Sequence, residues 1–141
     1  MSRLLAIDYG EKRIGLAMTD PMQIFAKPYT MFSNVSFDET VDQLEKIISE
    51  KSIGRIIVGI PWSLDGNITE KTKETLEFLN RLATRLKVPV EGSDERYTTS
   101  EANELLKEMG YDWKKSRTMI DSLSACLILK RYLETHPRET E

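Results

Sequence analysis

Three carboxylates stand where an acid lowers stability unless something compensates for it. Asp8 directly follows the apolar run Leu4-Leu5-Ala6-Ile7. A charge at the end of a buried strand is costly unless it is paired or bound to a metal. Glu95 lies in Ser93-Asp94-Glu95-Arg96, at the end of a second strand-like stretch. Asp121 lies in the first turns of a final helix whose run Ser122-Leu123-Ser124-Ala125-Cys126-Leu127-Ile128-Leu129 is apolar nearly all round, so the helix should be buried. Each acid has an ordinary alternative. Asp8 can begin a turn, Glu95 can pair with its neighbour Arg96, and any carboxylate gains from a helix N-terminus, as Asp121 would. Together the three would repel strongly unless a hard cation joined them. Mg²⁺ or Mn²⁺, as one or two ions, prefers such oxygen ligands. The corresponding chemistry is hydrolysis of a phosphodiester. Asp94 should point to the face opposite Glu95, because neighbouring strand side chains alternate. A histidine mechanism is disfavoured, since His136 is the only histidine and falls beside the C-terminal tail.

The elements that must position these acids follow from the pattern. Residues 4–8 read as a buried strand, Gly10-Glu11-Lys12 as a hairpin turn in which Gly10 supplies a positive φ, and residues 13–18 as the returning strand. A third strand falls within residues 28–32. Ser36 and Glu39 fit a capping box, and Val41, Leu44, Ile47 and Ile48 then recur at helical spacing. Ile53-Gly54 breaks that pattern, and residues 55–60 are a β-branched run expected to be buried on both sides. Asp65-Gly66 marks a turn. Leu76, Leu79, Leu82, Ala83 and Leu86 line a second helix, and residues 88–90 form a short strand leading to Glu95. Thr98 and Glu101 open a third helix that Gly110 ends, and the final helix runs over about 118–134. This order predicts an α/β fold: a mixed five-stranded sheet, antiparallel first and parallel later, with helices on both faces. Asp8 and Glu95 would then lie at strand C-terminal ends, the edge where α/β sites form.

The 141 residues suit one domain, over 1–136, with 137–141 as a solvated tail. A chain of that size buries roughly 68–70% of its unfolded surface and needs no disulfide. Cys126, the single cysteine, reads as a small core residue. The first residues lack the basic-then-apolar order of a signal peptide, and no run approaches the roughly 20 apolar residues of a membrane span. A cytoplasmic protein with no membrane association is expected. A net charge of −3 is unlike the basic balance of many nucleic-acid binders. Metal bound at the acids, with a few basic side chains on phosphates, would reconcile the two. Lys114, Lys115 and Arg117 form one such basic loop near Asp121, which either contacts backbone phosphates or is simply solvated.

Asp8-Tyr9-Gly10-Glu11-Lys12-Arg13-Ile14-Gly15-Leu16-Ala17 resembles the opening motif of the YqgF family, also called RuvX. Ile57-Val58-Gly59-Ile60-Pro61 with Asp65-Gly66, then Asp94-Glu95-Arg96, then Asp121-Ser122 with Ala125 and Ile128-Leu129, are similar to its later motifs in the same order. The resemblance implies a ribonuclease H-like fold related to the Holliday-junction resolvase RuvC, and a nuclease role in trimming the 5′ end of precursor 16S ribosomal RNA. It implies Asp8, Glu95 and Asp121 as the catalytic, metal-holding acids. Lys12 and Arg13 would face the substrate and Arg96 would steady a phosphate. The implied partners are precursor ribosomal RNA or branched DNA, with the ribosome or transcription machinery, and the protein would act as a monomer or homodimer. Two rivals come from other classes. An actin-like phosphotransferase also opens on an Asp-x-Gly turn, but needs two such domains and would show saturable ATP binding. A non-catalytic RNA- or ribosome-binding protein would keep its cellular role after Asp8→Asn and Asp121→Asn.

Overall fold

The computed structural model describes residues 2–63, 65–95, 108 and 120–136. The elements are β1 (Arg3–Tyr9), β2 (Arg13–Thr19), β3 (Ala26–Ser33), α1 (Phe37–Lys51), β4 (Ile53–Ile60), α2 (Glu70–Arg85), β5 (Val90–Asp94) and α3 (Ile120–Thr135). The strands form one sheet in the order β3-β2-β1-β4-β5. β1 pairs antiparallel with β2, and β2 with β3, as short hairpin connections require. β4 pairs parallel with β1 and with β5, as helix-linked strands do. The helix expected over 98–110 lies outside the described residues.

Side-chain alternation sorts the sheet into two faces. On one face Leu5, Ile7, Ile14, Leu16, Ile56 and Val58 pack against Val41 and Leu44 of α1 and Phe78 and Leu82 of α2. On the other face Leu4, Ala6, Ala17 and Ile57 pack against Ala125, Cys126, Ile128 and Leu129 of α3. β1 and β4 are covered on both sides, which is why their sequences are continuous apolar runs rather than alternating ones. Burial of Cys126 in the α3 layer pushes its thiol up to about 11.

Several local expectations shift. Gly10 does not take a positive φ. It is glycine because a Cβ there would stand 2.5 Å from the Arg13 carbonyl oxygen. α1 stops at Ser52, which adopts the left-handed conformation (φ 55) and donates its N–H to the Ile48 carbonyl. Ile53 therefore starts β4 instead of breaking a helix, pairs with Arg3 and enters the core. β5 begins at Val90 and continues through Glu91, Gly92 and Ser93 to Asp94. It is an edge strand held by backbone pairing to β4, so its side chains need not be apolar. At α1, the Ser36 hydroxyl accepts from the Glu39 N–H at 3.2 Å, the expected cap. The cap of α2 is Thr69, paired reciprocally with Thr72.

Candidate active site

β1 alternation places Leu4, Ala6 and Asp8 on the face that α3 covers, and Leu5, Ile7 and Tyr9 on the other. In β5 and the residue after it, Glu91, Ser93 and Glu95 share the α3 face by the same rule. Glu95 is held just past the strand by its N–H, which donates to the Ile60 carbonyl at 2.9 Å. The strands are in register here. Asp8 stands opposite Gly15, Ile7 pairs with Val58, and Gly59 pairs with Ser93. Gly59 thus lies on the strand between the two acids. A Cβ at Gly59 would come within 2.9 Å of Glu95 Oε2 and 2.7 Å of Ile128 Cγ1. The Glu95 carboxylate therefore lies over a bare patch of backbone, pressed between the sheet and α3.

That position has an electrostatic consequence. Glu95 is half-buried as a residue, but its carboxyl end is turned inward, and its pKa is pushed up to about 8. Burial is the main cause and the negative charge of Asp8 the second, while Lys71 acts in the opposite sense. The structure thus brings Asp8 and Glu95 together. Asp94 pairs with Ile60 on the opposite side of the alternation, as expected.

The third acid, Asp121, is the second residue of α3. Its neighbour Ser122 is buried and donates its hydroxyl to the Thr30 carbonyl at 2.9 Å. Thr30 pairs with Leu16, which pairs with Ile7, so α3 begins level with the end of β1. The Asp121 side chain lies outside the described residues, as do Arg96, Lys114, Lys115 and Arg117. Among the described residues no three His, Cys, Asp or Glu side chains form a metal-holding group. The pair present offers only carboxylate oxygens, crowded enough to repel each other, and that donor set fits a hard cation.

Lys12 is exposed in the turn between β1 and β2, and Arg13, also exposed, opens β2. Asn34 clamps that turn. Its Nδ2 donates to the Gly10 carbonyl at 2.8 Å and its N–H to the Lys12 carbonyl at 2.9 Å. The loop after β4 is equally set. Gly66 turns with φ 86 and donates to the Ser63 carbonyl at 2.8 Å. Bonds from the Ser63 hydroxyl and the Asn67 N–H hold the Asp65 pKa below its ordinary value. Thr72 then donates its hydroxyl to the Pro61 carbonyl at 2.7 Å, tying α2 to the end of β4. This brings Lys71, in the first turn of α2, towards Glu95. Sequence reasoning missed Lys71, because Glu70-Lys71-Thr72-Lys73-Glu74 looks like any solvated helix start. His136 is not a loose tail residue, since its ring stacks on Tyr132 with centroids 4.0 Å apart.

The RuvX family model, described as Holliday junction resolvase, matches residues 2–135. The chain belongs to the RuvX family. A relative from Maridesulfovibrio salexigens, named "Putative pre-16S rRNA nuclease", is 38% identical over 131 residues, 93% of this chain and 97% of the relative. One of the same name from Lachnospira eligens is 39% identical, covering 94% of this chain and 97% of its own. Among solved structures, Thermus thermophilus RuvC superposes with a TM-score of 0.56 at 14% identity, over 94% of this chain and 96% of that one. The Fowlpox virus resolvase in complex with Holliday junction DNA gives 0.60 at 10% identity, over 96% and 99%. At such identities the likeness establishes the fold, which is the ribonuclease H-like fold of these resolvases. In this RuvX-family chain Asp8 and Glu95 lie at the ends of β1 and β5, the strands on either side of β4.

Proposed function

We propose that this chain is a metal-dependent nuclease that hydrolyses phosphodiester bonds, acting in the cytoplasm on the 5′ end of precursor 16S ribosomal RNA. The observation that carries the reading is the Glu95 carboxylate laid over Gly59, within reach of the negative charge of Asp8, with its pKa pushed up to about 8. Two like charges held this close, half-sheltered from water, cost stability and are kept where they serve a cation or a proton. The names of the relatives, which match over nearly their whole length, support the nuclease class and favour ribosomal RNA.

In this reading Asp8, Glu95 and Asp121 hold Mg²⁺ or Mn²⁺, as one or two ions. When bound, such an ion supplies positive charge to the phosphodiester oxygens and makes a bound water more acidic. The chain's own residues do the rest. Asp8 ends β1 and Glu95 follows β5, both paired to the intervening β4, so their separation is set by backbone pairing and not by loop motion. Burial and the charge of Asp8 favour the protonated form of Glu95 in the metal-free protein, so holding a cation there would require loss of that proton. Lys71 eases that release. Lys12 and Arg13, with Arg96, Lys114, Lys115 and Arg117, contact substrate phosphates and set its path.

Branched DNA is the second reading, favoured by the description of the matching family. End-labelled precursor 16S RNA and a four-way DNA junction, each incubated with Mg²⁺ or Mn²⁺, separate the two. Metal-dependent cutting of the RNA alone supports ribosomal RNA processing, and cutting of the junction alone replaces it with junction resolution. Failure to cut either, by folded protein that still binds RNA, leaves a non-catalytic RNA-binding protein.

A further inference from the structure

The same strand end that carries Asp8 on one face carries Tyr9 on the other, and there the structure has a second feature that the acidic site does not use. A cavity of about 370 Å³ opens beside Tyr9, between the turn that follows β1, the start of α1 and the outer side of α2. That volume falls in the usual range of small-ligand pockets, about 300–1,000 Å³. Tyr9 stacks on Phe78 with ring centroids 4.2 Å apart, and Phe37 meets Phe78 edge-on at 6.2 Å. The Arg81 guanidinium lies over the Phe37 ring at 3.9 Å. Glu11, Glu74 and Glu77, with Asn34 and Ser36, complete the polar lining. Val35, 70% exposed, stands at the mouth and adds nothing to either core layer. The walls are built rather than incidental, since the Asn34 bonds to the Gly10 and Lys12 carbonyls hold one side against the other.

The chemistry of the lining selects its guest. Three carboxylates against one guanidinium disfavour a phosphate. A guest cation would meet the like charge of Arg81, whose guanidinium already covers the Phe37 face. A flat, neutral ring bearing N–H donors meets each requirement: it stacks on aromatic or guanidinium planes and donates to carboxylates at its edge. We infer that this cavity is a nucleobase subsite, which takes one unstacked base of a single-stranded nucleic acid whose backbone crosses the edge of the sheet to Asp8 and Glu95. The inference rests on the proposed nuclease reading and narrows it, naming a single-stranded substrate. Because the edge groups are carboxylates, bases with an exocyclic amino group, adenine, cytosine and guanine, fit better than uracil.

The test is binding of fluorescently labelled RNA octamers of A, C or U, in EDTA so that cleavage does not intervene. It compares wild type with Arg81→Ala and Glu77→Gln, at two exposed positions of α2, and with Phe37→Leu, which keeps apolar bulk and loses the ring. The expected result is tighter binding of the A and C octamers than of U. Arg81→Ala and Phe37→Leu should weaken A and C binding by at least about fivefold, the scale of one lost base stack. Glu77→Gln should level the preference. An abasic position in the A octamer should weaken wild type but add nothing to Arg81→Ala. Variants with unchanged melting temperature that bind every octamer like wild type would overturn the subsite. So would variants that lose only binding of an oligo-arginine peptide, which would make the cavity a dock for a basic protein segment. Cleavage measured alongside keeps the two readings apart. Asp8-dependent cutting with indifferent cavity variants sinks the subsite alone, and cavity-dependent binding without cutting sinks the nuclease alone.

Discussion

A carboxyl whose pKa stands near 8 in the metal-free fold, against 4.5 for its model value, acts on stability with a definite sign. Between those values the folded state binds the Glu95 proton more tightly than the unfolded chain does. The stability is intact below about pH 4.5 and is lost as pH rises through the window to about 8. Glu95→Gln should therefore melt higher than wild type at pH 8.5 in EDTA, by an amount on the order of a few kcal/mol. The difference should shrink towards pH 5. Thermal melts at the two pH values check it, and an amide that destabilises at pH 8.5 would return Glu95 to an ordinary structural role. At this scale the sequence was partly legible. Asp8 stands out because it ends an apolar run, and Glu95 because it ends a strand. Lys71 did not stand out, because nothing in a charged helix start says which lysine leans towards the sheet edge. The cavity beside Tyr9 was equally hidden, since its lining comes from three separated segments.

At the scale of elements, the acids depend on how tightly α3 and the loop after β4 are drawn to the sheet. Gly59→Ala would drive a Cβ into Ile128 and the Glu95 carboxylate. Overpacking of that kind costs about 1–3 kcal/mol. Urea unfolding should show the loss, and adding Ile128→Val should recover part of it, as coupled neighbours do. A fully additive pair would mean that α3 does not press on Gly59. Thr72→Val removes both the bond to the Pro61 carbonyl and half of the cap on α2. A loss of about 1–2 kcal/mol is expected, and the same urea measurement reads it. The sheet and its two covered faces were readable from the apolar runs and the helix-linked order. The start of β4 and the length of β5 were not, because a left-handed Ser52 and a polar edge strand leave no periodic trace. Gly59 is visible as part of a motif, but its physical reason appears only once Ile128 and Glu95 are placed.

At the scale of the whole molecule, the chain carries a net charge of −3 and sets Asp8 and Glu95 at one end of its five-stranded sheet. A cation that binds there stabilises the folded state by mass action, by about 2.7 kcal/mol at one hundred times its dissociation constant. Mn²⁺ or Mg²⁺ should raise the melting temperature of wild type and leave that of Asp8→Asn close to its metal-free value. Equal shifts in both would put the cation elsewhere. The measurement that bears most directly on the account is metal-dependent cleavage of end-labelled precursor 16S RNA by wild type and by Asp8→Asn, with RNA affinity and melting temperature followed in parallel. The account predicts cutting by wild type that disappears in Asp8→Asn, while the variant stays folded and binds RNA as before. Undiminished cutting by Asp8→Asn would contradict it, because the carboxylate at the end of β1 would then have no part in the chemistry.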